Sequence, residues 1–394
     1  MSGRSRRKHA EIVGAGISGL TAATALAQRG WSVRLHERDS SIRAIGAGIY
    51  VWGNGLRALK ALGLHDEAVV GAHIGPVMES RDHRDRVVES IPINAPGRPE
   101  VRTIMRDRLI GTLVKGAEAA GVEIVTGSEI ASARPDGTLV RASGERLDTD
   151  AADVVIAADG VNSRIRDGIG MGARRERMSQ GAVRLTVERS DDFVAAPDRD
   201  KYIEYFSGRR RVLYTPSSAT SLYVALVADA HDGAVGQVPV DIDSWVRSFP
   251  HLEKLLRTLD GVPARWDTFE FLRLRSWSQG RIALIGDAAH AQPPYLGQGG
   301  GCAMMNALGL ADALSAPGDA TLEQRLAGWE ATERPLIEHT QLWSYRLRLL
   351  NLIPDAPRAP LLSLSGRWKS LGASRMRAAL ATPTGADHFL GASA

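Results

Sequence analysis

A mixed α/β fold, in which a mainly parallel sheet is interrupted by an inserted, mainly antiparallel one and followed by C-terminal helices, is what this chain predicts. Three observations predict it. Residues 10–14 read as a short apolar strand, 20–28 as an Ala-rich helix closed by Gly30, and 31–36 as a second strand ending at Glu37, which together make a βαβ unit. Residues 153–158 and 281–285 are nearly unbroken apolar runs, the pattern of parallel strands buried on both faces. Between 181 and 278 the pattern alternates instead, as in Val183-Arg184-Leu185-Thr186-Val187 and Leu222-Tyr223-Val224-Ala225-Leu226, which suits half-buried antiparallel strands.

The remaining elements follow in order. Residues 109–120 predict a helix, and 122–126 with 138–142 predict the strands of a small meander. A glycine-rich stretch after 285 leads into a helix over 302–314, and residues 322–350 predict a long helix that the three prolines of 353–360 interrupt. The cofactor domain is therefore expected to be discontinuous, over 9–75, 99–180 and 278–330. A substrate domain is expected over 76–98 and 181–277, and a helical segment over 331–394.

Composition narrows the function classes. The 394 residues, 44% hydrophobic, suffice for one large domain or two intimate ones. No apolar run approaches the roughly 18 residues of a spanning helix. The basic first ten residues lack the apolar core of a signal peptide, so a cytoplasmic location and no membrane partner are expected. The single cysteine, Cys302, excludes an internal disulfide and a cysteine-built zinc site, and no metal is expected. A net charge of +4 gives little reason to expect nucleic-acid binding, and the clusters Arg174-Arg175 and Arg209-Arg210-Arg211 read as solvated faces.

The chemistry lies in three motifs. Gly14-Ala15-Gly16-Ile17-Ser18-Gly19 sits between strand and helix, where successive glycines permit the tight turn, the approach of a pyrophosphate, and close helix–strand packing. Glu37 ends the next strand, where a carboxylate accepts ribose hydroxyls, with a merely solvated Glu37 as the alternative. Asp159-Gly160-Val161-Asn162-Ser163-Arg164-Ile165-Arg166 follows one buried strand and Gly286-Asp287-Ala288-Ala289-His290 the other. An Asp after a strand can also simply cap a turn, and that alternative stays open for Asp159.

With these three motifs in this order, the chain resembles the FAD-dependent aromatic hydroxylases, the family of para-hydroxybenzoate and salicylate hydroxylases, over about residues 9–350. The resemblance implies FAD held by Gly14, Gly16, Ser18, Gly19, Glu37, Arg38, Arg43, Ala47, Gly48, Arg106, Asp159, Asp287, Gly299 and Gly300. In it, Asp287 serves the ribityl chain and Arg106 the FAD backbone, while residues 43–49 lie along the flavin. The stretch Pro293-Pro294-Tyr295-Leu296-Gly297-Gln298-Gly299-Gly300-Gly301 would meet the isoalloxazine ring. Two positions depart from the family: Gly301 stands at the usual Asn and Asn306 at the usual Asp. His290 would support its loop rather than transfer protons, and Cys302 would be a packed residue.

A narrower resemblance rests on 31–37, Gly46-Ala47-Gly48-Ile49-Tyr50-Val51-Trp52, Gly301-Cys302-Ala303-Met304, Arg211 and Tyr223. It is to the branch that oxygenates 2-methyl-3-hydroxypyridine-5-carboxylate and opens its ring. It implies Arg211 and Tyr223 as catalytic residues, with Tyr50, Met78, Phe269 and Pro294 contacting substrate. For Tyr223, an ordinary inward-facing sheet tyrosine is the equal alternative. Met78 and Phe269 stand where that branch has tyrosines, so two phenolic hydroxyls are lost and a different substrate, a more apolar or differently substituted phenol or aniline, is expected.

The reaction so implied is hydroxylation, with or without ring opening, of a small electron-rich ring such as a phenol, aniline, nitroaromatic or hydroxypyridine. O2 is the oxidant, NADH or NADPH the electron donor, and the route a flavin hydroperoxide. A flavin oxidase or dehydrogenase without oxygen insertion and a non-catalytic flavin-binding regulator are the rivals. Monomer and homodimer are both compatible with the sequence.

Overall fold

A computed structural model describes residues 7–43, 48–147, 152–233, 238–358, 360–361 and 369–386. Among them, two sheets dominate. The first has the strand order Ser278–Gln279, Ile282–Leu284, Val154–Ala157, His9–Val13, Ser32–His36, Glu123–Val125. All its pairings are parallel except the first, which is antiparallel. Its central strands are buried on both faces, which is why they read as continuous apolar runs. The helices Ile17–Gln28 and Gly299–Ser315 are buried almost throughout, and their small residues let them pack on one another.

The second sheet has the order Trp266–Leu274, Ala173–Glu188, Ser221–Asp229, Arg210–Pro216, Tyr202–Ser207, Val77–Arg81, Val87–Pro92. It is antiparallel apart from the pairing of Tyr202–Ser207 with Val77–Arg81. One face covers its own apolar cluster around Trp245 and Phe249. The other faces the loop that follows Pro293 and the helix Leu322–Leu347, with the aromatic residues Tyr223, Phe269, Phe271, Tyr295 and Tyr345 between them.

The α/β architecture, with its parallel sheet, inserted antiparallel sheet and C-terminal helices, is thus present. Two readings need correction. The strands expected to form one meander are separated: Glu123–Val125 extends the parallel sheet beside Ser32–His36, and Leu139–Arg141 pairs with Ile130–Ala133 in a small sheet of its own. Alternation alone carries no information about which neighbour a short strand chooses. The Arg209-Arg210-Arg211 cluster is not a solvated face: Arg210 makes a bidentate pair with Asp232 (2.7 and 2.8 Å), and Arg211 is buried. No helix among the described residues is long and apolar enough to cross a membrane, and no group of His, Cys, Asp or Glu side chains there could hold a metal ion.

Candidate active site

The strand His9–Val13 delivers the chain into Gly14 at φ +104°, and a side chain there would stand 2.4 Å from the carbonyl oxygen of Ala158. A Cβ on Gly19 would stand 1.9 Å from the carbonyl oxygen of Gly14. The turn is therefore closed on its protein side. Around Gly16 it is open, since a Cβ there would meet nothing within 4 Å. Gly16 starts the helix Ile17–Gln28 without a side-chain cap, so its first N–H groups are available to an anion. Glu37 is tied to the same turn, its Oε2 accepting from Ala15 N–H at 3.0 Å and its Oε1 from Asp39 N–H at 3.1 Å. Arg38 and Arg43 are exposed, and Arg43 pairs with Asp39 at 2.6 Å. Ala47 lies outside the described residues, whereas Gly48 is buried against Ser217 and Thr103.

The two Asp-bearing loops meet this turn from the adjoining strands. Asp159 Oδ2 accepts from Ile165 N–H at 3.4 Å, the turn-capping arrangement, while its buried Oδ1 has no partner among the described residues. Gly286 lies so near Ser18 that a Cβ would fall 2.5 Å from Ser18 Oγ, which brings Asp287 beside the first turn of the helix. Asp287 is open to solvent yet ringed by protein. That crowding raises its pKa, opposed by the Arg106 guanidinium. Arg106, half-buried at the start of the helix Arg106–Ala119, is in turn lowered by desolvation and raised by Asp287. Gly299 and Gly300 open the helix Gly299–Ser315, again without a side-chain cap, and Gly300 faces Ile49 and Ile17.

Both departures from the family pattern have local causes. Gly301 has no room for a side chain because Asn54 Oδ1 would stand 2.6 Å from its Cβ. Asn306 Oδ1 lies 3.2 Å from His290 Nε2. His290 is buried against Trp277, which lowers its pKa to about 4, so it stays neutral and braces the loop. Cys302 is buried, and burial raises its thiol to about 12, too high for a thiolate nucleophile.

Beside the loop Pro294–Gly297 lies an open-mouthed cavity of about 160 Å³. Tyr50, Met78, Pro294 and Arg211 all line it. Tyr223 and Phe269 do not: Tyr223 is the register partner of Thr215 and packs in the aromatic cluster with Phe269 and Tyr295, and Phe269 meets Tyr295 edge-to-face at 5.7 Å. The Tyr50 hydroxyl lies 2.7 Å from Thr215 Oγ1, and burial raises its pKa well above the ordinary value. Arg211 reaches Glu204 Oε1 at 2.7 Å with its guanidinium over the rings of Phe206 (5.6 Å) and Tyr295 (4.9 Å). Arg375 meets Glu89 at 3.5 Å. Both cations of the lining are thus offset by a carboxylate, and most of the remaining wall is apolar: Trp52, Ile91, Ile93, Phe206, Leu213, Leu347, Leu350 and Met376.

A protein-family model described as an FAD binding domain matches residues 8–340. The chain belongs to the FAD-dependent aromatic monooxygenases. It is 49% identical over 93% of its length to 2-heptyl-3-hydroxy-4(1H)-quinolone synthase of Mycobacteroides abscessus, covering 97% of that protein. It is 47% identical over 96% of its length to a probable enzyme of the same name from Rhodococcus erythropolis, again covering 97%. Among solved structures it is similar to the tetrameric form of 2-methyl-3-hydroxypyridine-5-carboxylic acid oxygenase, with a TM-score of 0.86, 37% identity, and coverage of 96% and 98% of the two chains.

The residues of this monooxygenase fit FAD. Two uncapped helix starts, a glycine turn open on one side only, the partnerless Asp159 Oδ1 and the solvent-open Asp287 are what a bound dinucleotide would complete. Sequence reasoning missed Glu204, Glu89, Arg375 and Met376 in the cavity. One signal was available for Glu204: it interrupts the apolar alternation of Tyr202 and Phe206, and all three face the cavity. Glu89 and Arg375 carry no comparable signal, since their meeting depends on how the C-terminal segment folds back.

Proposed function

We propose that this chain is an NAD(P)H-dependent monooxygenase that places one atom of O2 on C3 of a 2-alkyl-4(1H)-quinolone, a neutral bicyclic head with an apolar tail. The observation that carries the reading is the cavity's lining, largely apolar, with both its arginines offset by glutamates. A ring carboxylate would find no unneutralised cation among these residues, whereas an alkyl chain would find Ile91, Ile93, Leu347, Leu350 and Met376. The names of the relatives nearly half identical to this chain point the same way.

FAD reduced by the nicotinamide donor supplies activated oxygen, and the protein's residues bind, orient and exclude water. The Gly14–Gly19 turn and Glu37 would hold the adenosine pyrophosphate end of FAD, Asp287 with Arg106 and Asp159 its middle, and the uncapped N–H groups at the start of the helix at Gly299 its pyrimidine edge, where they would favour negative charge. Arg211, held by Glu204 and two rings, donates to the 4-oxygen of the substrate. Tyr50 and Pro294 fix the ring beside the flavin. Trp52 Nε1–H donates to the Leu296 carbonyl at 3.1 Å, which steadies the loop over the reacting carbon, and the apolar wall keeps water away. Tyr223 acts from behind this wall by supporting Thr215 and Tyr50.

The test is a substrate panel under 18O2: 2-heptyl-4(1H)-quinolone, simple phenols, anilines and nitroaromatics, and hydroxypyridine carboxylates, each with NADH and NADPH. The expected outcome is one labelled oxygen at C3 of the quinolone at the highest kcat/KM. Preference for a hydroxypyridine carboxylate, with ring-opened product, would overturn the substrate assignment. Quantitative return of the oxygen as peroxide would identify an oxidase.

A further inference from the structure

Glu89 stands in the edge strand Val87–Pro92, across from Ser80, which in turn pairs with Glu204. Charged residues of an edge strand ordinarily point to water. Glu89 is instead only 9% exposed and lines the cavity. Its Oε1 is 3.5 Å from Arg375 Nη2, an ion contact without hydrogen-bond geometry, and has no hydrogen-bond partner among the described residues. That oxygen is sealed from solvent and faces Arg375, so a donor from the cavity would meet the carboxylate's other oxygen; a buried carboxylate short of donors is costly. A 4(1H)-quinolone carries one N–H donor, at the end of the ring opposite its oxygen.

We propose that Glu89 accepts the ring N–H of the substrate and then takes its proton, making the ring anionic before oxygen transfer. This rests on the quinolone reading. The N–H bond breaks, the proton passes to a Glu89 oxygen, and the electron pair stays in the ring, shared among N1, C3 and the 4-oxygen. Arg211 stabilises the charge on that oxygen, and C3 becomes the electron-rich carbon that electrophilic oxygen attacks. After one oxygen atom joins C3, the C3 proton is lost to water and Glu89 returns its proton to nitrogen. The second atom of O2 leaves as water, with the donor's two electrons balancing the reaction. Burial raises the pKa of Glu89, Arg375 opposes the rise and Glu204 adds to it, so the group is a stronger base than an exposed glutamate.

The test compares 2-heptyl-4(1H)-quinolone with its N-methyl derivative, which has no N–H, on the wild-type holoenzyme and on Glu89→Gln and Glu89→Leu. Wild type is expected to bind the N–H compound about tenfold or more tighter, the worth of a hydrogen bond to a charged group. Glu89→Gln keeps an acceptor and should retain much of that preference, while kcat falls about 100-fold and the acid limb of its pH profile, placed above the ordinary carboxylate range, disappears. Glu89→Leu should lose both the preference and the rate. Equal binding and hydroxylation of the N-methyl compound by wild type, a result independent of any variant's folding, would overturn the inference while leaving the quinolone reading intact. So would a Glu89→Gln enzyme with wild-type kcat and an unchanged acid limb. No turnover of either quinolone by wild type would overturn the reading, and the inference with it.

Discussion

The FAD cradle and the substrate cavity share the loop after Pro293, yet they are built from different material. In the cradle the recognition surface is mostly backbone: glycines that bring the chain close, and helix starts whose N–H groups have no side-chain cap. In the cavity it is side chains from many separate segments, including Tyr50, Met78, Glu89, Glu204, Arg211, Tyr295, Leu347 and Arg375. A backbone site tolerates almost no change at its glycines, whereas a side-chain site can be retuned one residue at a time. The first property suits a cofactor common to a family, and the second suits a substrate that differs between its branches.

That contrast can be broken, and the largest expected effect is at the turn. Gly19→Ala would force a methyl group against the Gly14 carbonyl oxygen, and FAD affinity should fall about 100-fold or more, roughly 3 kcal/mol, as measured by flavin titration of the apoprotein. Arg211→Ala should leave FAD bound but lower kcat/KM for the quinolone about 100-fold, with much of the donor's reducing power released as peroxide. Tyr223→Phe, behind the wall, should lower it only about two- to fivefold. Equal losses in the two variants would place Tyr223 on the substrate and contradict the division drawn above.

A stability prediction separates the halves by pH. Burial depresses His290 from its ordinary range to about 4, so the folded state binds this proton less readily than the unfolded chain. The contribution is therefore intact above an unfolded pKa of about 6.5 and is lost as the pH falls toward 4, by an amount on the order of 3 kcal/mol. Denaturant titrations of wild type and His290→Gln should diverge in that window, with the variant showing the flatter profile. Parallel profiles would mean that His290 does not brace the flavin loop as a neutral ring. The smallest effect is expected at Ile91→Phe, which should shift the preferred tail length shorter by about two carbons, each methylene being worth ~0.8 kcal/mol.

The same contrast explains what was legible in the sequence. The glycine turn, Glu37 and the loops carrying Asp159 and Asp287 are local patterns beside local strands, and the fold brings them together. In the cavity, Tyr50, Met78, Pro294 and Arg211 were reached through likeness to the family, and the fold sets all four in its lining. Glu89 and Arg375 were not reachable, because nearly 290 residues separate them and their contact depends on the C-terminal helix Lys369–Arg375 returning to the edge of the inserted sheet. Alternation also misled: it made Leu139–Arg141 and Glu123–Val125 look like partners, whereas each pairs with a different strand.

The central claim is that the cavity selects a neutral head with an apolar tail, and the ratio of kcat/KM for 2-heptyl-4(1H)-quinolone to that for its 2-methyl homologue tests it most directly. Burial of the extra methylenes predicts a ratio of about 100 or more in the wild-type holoenzyme, with hydroxylation at C3 in both cases. A ratio near one, or faster turnover of a small ring carboxylate than of either quinolone, would contradict it.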